Sequence, residues 1–392
     1  MAKPKLKIDV LPEPFRDAAR RVSSIPATNS PVENYHYLSL VCTADKPQVR
    51  VFAQSPYVAA IAMIEGATKD GAGKIVLTAQ QFMSLVNGLE TAATFTVSED
   101  DRIAMSSSGW RVKLPTIEAN LHSPVLTEPN YQLTMRIEPL VHAIEAAASA
   151  VGKGMVMGFD VDSVTFDFAN HAKPRLASAD GKQMAVVTLP TVSEEEIPGM
   201  VFKVPAQACK AFATFFAGAE GLVRIKYTTN LFAAWNDQGV IYLRLAEGRP
   251  FPIDAIISNG ADMPLRIVVA KRELVGGIKR AAVALKGEDS RKVRIAAKDK
   301  VLSLACESDS AGESVVNVDL DSMDGEATEM YVDYRALESA ASKVPGDTIV
   351  MQWRDENSPV VLDCPPVWWT IMPLVKGEGD HGQEESSGTE AA

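Results

Sequence analysis

The stretch Met200–Phe216, MVFKVPAQACKAFATFF, decides the fold. Val201, Phe202 and Val204 carry the β-branched and aromatic weight of a pleated segment. Pro205 has no N–H to continue a ladder and suits the start of a helix. The residues that follow place Cys209, Phe212, Phe215 and Phe216 on one stripe and Gln207, Lys210 and Thr214 on the other. The reading is a strand feeding directly into an amphipathic helix.

Working outward, the same unit recurs. Lys74–Leu89 (KIVLTAQQFMSLVNGL) and Glu329–Val344 (EMYVDYRALESAASKV) repeat the order of strand, polar break and helix. Gln80, Gln207 and Arg335 occupy matching places, 127 (207−80) and 128 (335−207) residues apart. A second strand–helix unit precedes each copy, at Leu6–Val22, Leu133–Val151 and Leu265–Leu285. Its markers Phe15, Leu140 and Leu274 stand 125 (140−15) and 134 (274−140) residues apart. A period this long means tandem domains, not a solenoid of small repeats. Strands outnumber helices in every copy. The fold class expected is α+β, three similar domains, each with two helices packed on antiparallel sheets. The boundaries expected are 1–127, 128–262 and 263–376, with linkers at 115–130 and at Gly248–Pro264 (GRPFPIDAIISNGADMP). In the second copy the first helix is expected to hold Leu140, Ile144, Ala147 and Val151 inward, with His142, Ser149 and Lys153 outward. Residues 377–392 hold five acids, no Lys or Arg and no large apolar side chain, and are expected to stay disordered.

The 392 residues suit two to three domains, and 46% hydrophobic content is enough for real cores. No apolar run is long enough to span a bilayer, and MAKPKLKIDV has no apolar leader core, so a cytoplasmic protein is expected. Cys42, Cys209, Cys306 and Cys364 lie far apart without metal or redox spacing, as in a reducing compartment. The net charge of −11 argues against an overall basic nucleic-acid binder but says nothing about individual faces.

No catalytic pattern stands out, and neither a metal nor a cofactor is expected. The chain lacks P-loop, dinucleotide, zinc-protease and nucleophile-elbow motifs, and its five histidines are scattered. Ser178–Gly181 (SADG) would make Asp180 a general base in a hydrolase, but it reads better as a turn in which Asp and Gly supply the backbone geometry. Glu194–Glu196 reads as a solvated acidic loop rather than a metal site.

Arg175–Pro190, Leu245–Ile257, Ser358–Leu362 and Met372–Leu374, in this order, resemble segments of the bacterial sliding clamp, the DNA polymerase III beta subunit. RLASADGKQMAVVTLP (Arg175–Pro190) is similar to the strand–turn–strand of the clamp's central domain, and LAEGRPFPIDAII (Leu245–Ile257) to its linker between domains two and three. SPVVL (Ser358–Leu362) is similar to a late strand, and MPL (Met372–Leu374) to the clamp's C-terminus. The triplicated plan covers residues 1–376. The resemblance implies a non-enzymatic processivity factor, a homodimeric six-domain ring around double-stranded DNA with helices lining the hole. Its implied partners are a replicative polymerase, a clamp loader and other proteins carrying a clamp-binding motif. An alternative is a three-domain structural or assembly protein with no DNA role.

The resemblance carries over three sets of residues. A lining that slides should hold DNA with few, loose phosphate contacts, from Arg16, Arg20, Arg21, Lys153, Lys210, Arg272, Lys279 and Lys343. The implied peptide cleft would use Val156, Ala179, Gly181, Met184, Pro252, Ile256 and Ile257, with Pro359, Ile371, Met372, Pro373 and Leu374. Ring closure would pair the edges Trp110–Leu114 and Glu313–Leu320, through Trp110, Val112, Val316 and Val318, supported by Val283 and Leu285. Two departures stand out. Lys182-Gln183 replaces the clamp's usual His-Arg, and Ile256 replaces a usual Arg, as in a divergent clamp, phage- or plasmid-borne, serving its own replisome.

Overall fold

Pro205 closes the strand Val201–Pro205, and the next helix begins at Ala206, so the deciding stretch folds as its sequence reads. The computed structural model describes residues 4–119, 124, 131–170, 173–190, 200–260, 263–285, 290–308 and 312–374. His122, His171, His381, Glu194–Glu196, most of the first linker and the acidic segment 377–392 lie outside the described residues.

Six strand–helix units are present among the described residues. Leu6–Val10 leads into α1 (Pro12–Val22), and Gly73–Thr78 into α2 (Ala79–Asn87). Tyr131–Arg136 leads into α3 (Ile137–Ala148), and Val201–Pro205 into α4 (Ala206–Phe215). A further helix, α5, spans Ile253–Asn259. Leu265–Ala270 leads into α6 (Lys271–Ala281), and Thr328–Asp333 into α7 (Tyr334–Lys343). Local chemistry starts these helices. Thr78 and Gln81 form a capping box on α2, and the Asp333 carboxylate accepts the N–H groups of Arg335 and Ala336 at α7. The apolar stripes face inward as expected. Phe15, Ala18, Ala19 and Val22 are buried on α1, and Cys209, Phe212 and Phe215 on α4.

The described residues pack as two compact units. Unit 1 comprises residues 1–148, 163–174 and 189–248. Its eight-stranded sheet begins with Tyr131–Arg136, Leu222–Tyr227, Leu231–Asn236 and Gly239–Arg244. It continues through Val58–Met63, Arg50–Gln54 and Tyr37–Cys42 to Gly73–Thr78, antiparallel throughout. The join is the ladder Gly239↔Ala62 to Leu243↔Val58, which makes one sheet of segments far apart in the chain. A five-stranded sheet of unit 1 ends on the edge strand Trp110–Leu114.

Unit 2 comprises residues 149–162, 175–188 and 249–392. The hairpin Arg175–Ala179/Gln183–Thr188 pairs with Val367–Ile371, which pairs with Val360–Cys364. Thr348–Trp353, Leu265–Ala270 and Ser322–Asp324 follow, again antiparallel. A four-stranded sheet runs from the edge strand Gly312–Asp319 through Val301–Ser308 and Lys292–Lys298 to Thr328–Asp333. Helix α6 lies close on that edge strand, because a Cβ at Gly277 would stand 2.8 Å from a Val318 methyl.

Two local expectations need correction. The segment expected as a second linker contains α5. Phe251 and Ile253 bury on either side of Pro252, and the Gly260 N–H closes the last turn on Ile256 and Ile257 carbonyls. Helix α3 stops at Ala148, not Val151. Beyond it the Gly152 N–H donates to Val161, whose own N–H donates to Gly154. This starts the short hairpin Met155–Val156/Phe159–Asp160, and Lys153 therefore stands on a turn, not on a helix face.

Candidate functional site

The hairpin turn at Ala179–Lys182 organises a groove in unit 2. One Asp180 carboxylate oxygen accepts the N–H of Lys182 at 2.7 Å and of Gln183 at 2.8 Å, and the other accepts Gln183 Nε2 at 3.0 Å. Gln183 Oε1 in turn accepts Trp369 Nε1 at 3.1 Å. This carboxylate is a turn-former bonded to its own backbone, which is the reading its sequence favours over a general base. Gly181 sits at φ +89°, and a Cβ there would lie 2.8 Å from Val156, so both backbone and space require glycine.

Beside the turn, Ala177, Met184, Val186, Phe251 and Ile253 form a buried apolar cluster. Phe159, Ala179, Ile256, Ile257 and Trp368 pack half-buried against it. The guanidinium of Arg249 lies 5.6 Å from the Phe159 ring centroid. An adjoining groove of about 560 Å³ is lined by Val156, Ile371, Met372 and Leu374, with Lys153, Lys182, Arg291 and Arg335 among its polar lining. Met155, Met157 and Met372 are exposed nearby in the chain, and Met157 is 94% accessible. Soft, exposed thioethers suit a surface that adapts to apolar anchors.

The expected cleft residues thus fall into three groups. Met184 and Ile371 are buried, at 2% and 1% accessibility. Val156, Ala179, Ile256, Ile257 and Leu374 are half-buried, and Gly181, Pro252 and Met372 are exposed; Val156, Ile371, Met372 and Leu374 line the groove. Pro359 and Pro373 are half-buried, one before the strand Val360–Cys364 and one after Val367–Ile371. Sequence reasoning missed Phe251, Ile253, Phe159 and Trp368. Gln183, one of the departures from the clamp pattern, has its amide half-buried between Asp180 and Trp369.

Helix α5 is tied to the hairpin by a two-pronged ion pair. Arg175 Nη1 and Nη2 donate to Asp254 Oδ1 and Oδ2 at 2.5 and 2.9 Å. Bonding to Arg175 holds the Asp254 carboxyl below its usual range. A depressed folded-state pKa means that the tie is intact above the ordinary carboxylate pKa and is lost as pH falls through the lower folded value. Asp254 is largely exposed, so the effect is modest. Asp254→Asn is expected to speed hydrogen exchange of α5 amides at pH 7 by no more than about five-fold. Compared with the variant at the same pH, the wild type should lose its protection only as pH falls below the usual carboxylate range, and equal rates for both proteins at pH 7 would reject the tie.

The basic residues differ in how they are held. Arg16 donates to the Leu89 carbonyl and Arg21 to the Phe215 carbonyl, each at 2.9 Å. Arg21 thereby caps the C-terminal end of α4, and burial lowers its pKa. Arg20 lies 3.5 Å from Asp17, and Lys279 lies 3.6 Å from Glu338 on the neighbouring α7. Lys210 and Arg272 are exposed on α4 and α6, and Lys343 is half-buried at the end of α7. Lys153 belongs with the groove.

The two expected edges are real sheet edges, but their side chains divide differently. Val283 and Val315 are 65% and 52% accessible. Leu285 and Val318 are 2% and 3% accessible, so they belong to the core of unit 2 and are not surface contacts. Val316 and Val112 are half-buried, and the Trp110 ring lies over Gly88 instead of standing free.

All four cysteines are buried and unpaired, and burial raises the Cys209 thiol and pushes Cys306 to about 11. Among the described residues no group of three His, Cys, Asp or Glu side chains is placed to hold a metal, and no helix is long and apolar enough to cross a membrane.

No model of a known protein family matches the sequence, and no curated protein does. Solved structures match it along nearly its whole length. The DNA polymerase sliding clamp of Bacillus subtilis superposes at TM-score 0.83 with 17% identity, covering 95% of this chain and 100% of that one. The beta subunit of DNA polymerase III from Thermotoga maritima superposes at 0.82 with 18% identity and the same coverage. The Pseudomonas aeruginosa sliding clamp bound to griselimycin superposes at 0.81 with 16% identity, covering 95% and 100%. This chain has the fold of a DNA polymerase III beta sliding clamp. Four short segments resembled this fold, and the strand–helix units and antiparallel sheets read from the internal repeat fit it.

Proposed function

We propose that the chain is a polymerase processivity factor, a sliding clamp that closes as a head-to-tail homodimeric ring around duplex DNA. The observation that carries this reading is the fit to sliding clamps over 95% of this chain and 100% of theirs. The function is mechanical. A tether that slides needs enclosure more than affinity, so a chain of net charge −11 suffices if a few cations face the duplex. Lys210, Arg272 and Arg20 are the exposed helix cations assigned to that face, with Lys279 and Lys343 beside them. Arg16 and Arg21 contribute to it while anchoring α1. The three-domain division at 127/128 and 262/263 follows the repeat of strand–helix units. The apolar groove of unit 2 is assigned to peptide motifs of the polymerase, the loader and other partners.

Enclosure is testable without a loader, because a ring threads over a free DNA end. A linear duplex is tethered to a bead at one end and carries biotin at the other. Protein is added, the free end is capped with streptavidin, and the bead is washed in 0.5 M salt. A ring stays until a restriction enzyme cuts the duplex and is then released. A protein held by surface charge is lost in the wash. An assembly protein with no DNA role is never retained, and either of these outcomes overturns the proposal.

A further inference from the structure

The unit 2 groove carries a charge pattern that an apolar cleft does not need. Lys153, Lys182, Arg291 and Arg335 all line it, and all four are exposed. Arg335 Nε donates to the Tyr334 hydroxyl at 3.2 Å, and its guanidinium lies 5.6 Å from that ring's centroid, which holds the charged head in place. The two carboxylates in the same lining are turned to backbone, Asp180 to Lys182 and Gln183 and Asp333 to the start of α7. An incoming anion therefore meets a positive field.

The chain itself supplies an anion at this place. The Met372 N–H donates to the Lys182 carbonyl at 2.7 Å, and the Leu374 N–H to the Tyr331 carbonyl at 2.8 Å. Leu374 lines the groove, so the chain passes out of the described region from the groove wall. Residues 377–392 then carry Glu378, Asp380, Glu384, Glu385 and Glu390 with no Lys or Arg. An extended residue reaches roughly 3.5 Å, so Glu378 is within about 14 Å of Leu374 and the later acids reach further.

We propose that the acidic segment 377–392 docks back onto its own groove, its carboxylates on Lys153, Lys182, Arg291 and Arg335, and competes there with incoming peptides. The competition rests on the reading of the groove as a peptide site; the docking does not. Exposed ion pairs are individually weak. Tethering raises the effective concentration of the segment into the millimolar range, so a weak contact is enough to hold it.

The test uses no DNA, so its failure and failure of the clamp reading are distinguishable. In the full chain a carbodiimide, which joins carboxylates to amines without a spacer, should link Glu378, Asp380, Glu384 or Glu385 to Lys153 and Lys182. The links should fall at least five-fold in 0.5 M salt, where screening shortens the reach of charge. A labelled synthetic peptide of residues 377–392 should bind a chain truncated after Lys376 about ten-fold more tightly than it binds the full chain, whose own tail competes. Arg335→Glu with Lys153→Glu, both at exposed positions, should abolish the difference. Links spread evenly over distant lysines such as Lys298 and Lys300, or equal peptide affinity for both chains, would overturn the proposal.

Discussion

Phe212→Ala is expected to lower the stability of unit 1 by about 3–5 kcal/mol, because it empties the centre of an aromatic core that cannot collapse around the gap. The Phe212 ring is fully buried. It lies 4.9 Å from Phe216 and 6.2 Å from Phe232. Phe232 lies 5.7 Å from Phe166, which stacks on Phe202 at 5.3 Å with an interplanar angle of 18°. The stripe of α4 thus meets the strand that leads into it and a strand of the eight-stranded sheet. Deleting one ring removes its transfer free energy, its edge-to-face contact with Phe232 and its tilted contact with Phe216. Urea titration read by hydrogen exchange and mass spectrometry separates the two units. Protection in unit 1 should collapse at markedly lower urea while that in unit 2 holds. A loss under about 1 kcal/mol would mean that this stripe is not the core of unit 1.

That stripe was legible because helical period and aromatic content are local. The same holds for the SADG turn, where a short carboxylate followed by glycine dictates its own hydrogen bonds. What escaped was non-local. Helix α5 has seven residues between a proline and a glycine, with no room for a period to show, and it is fixed by Arg175, 79 residues away. Arg16 and Arg21 read as free surface cations, yet their acceptors are backbone carbonyls 73 and 194 residues away. Leu285 and Val318 read as edge contacts because alternation says which side chains share a face, not which face is covered. Val318 is covered by α6, through the gap that Gly277 leaves. The clamp-like motifs pointed to the turn, to α5 and to the end of the chain, and Phe251 lies within one of them, but Phe159 and Trp368 do not. Those two side chains join the cluster only through packing from segments outside the motifs.

The ring proposal makes its sharpest prediction at the two sheet edges. The strand Gly312–Asp319 is the outer member of the four-stranded sheet of unit 2, and Trp110–Leu114 is the outer member of the five-stranded sheet of unit 1. Each presents a row of unpaired backbone groups on one side, which a second chain can complete. When one edge of a protomer pairs with the other edge of its copy, the contact is heterologous, and two such contacts close a ring. Val315 is 52% accessible at one edge, and Val112 is half-buried at the other. Val315→Glu adds a charge at an accessible position, at little cost to the fold, and buries that charge without a partner if the edges pair. Trp110→Arg is a less clean test, since removing the ring also uncovers Gly88. Val315→Glu with Val112→Glu is expected to cost the dimer about 3–5 kcal/mol, more than a hundred-fold in dissociation constant. Sedimentation velocity at micromolar protein should then show monomers that still unfold cooperatively. The same variant should wash off the capped duplex, because an open protomer encloses nothing. A dimer of undiminished strength would place the self-contact elsewhere, and a monomer still retained on the capped duplex at high salt would refute enclosure as the basis of retention.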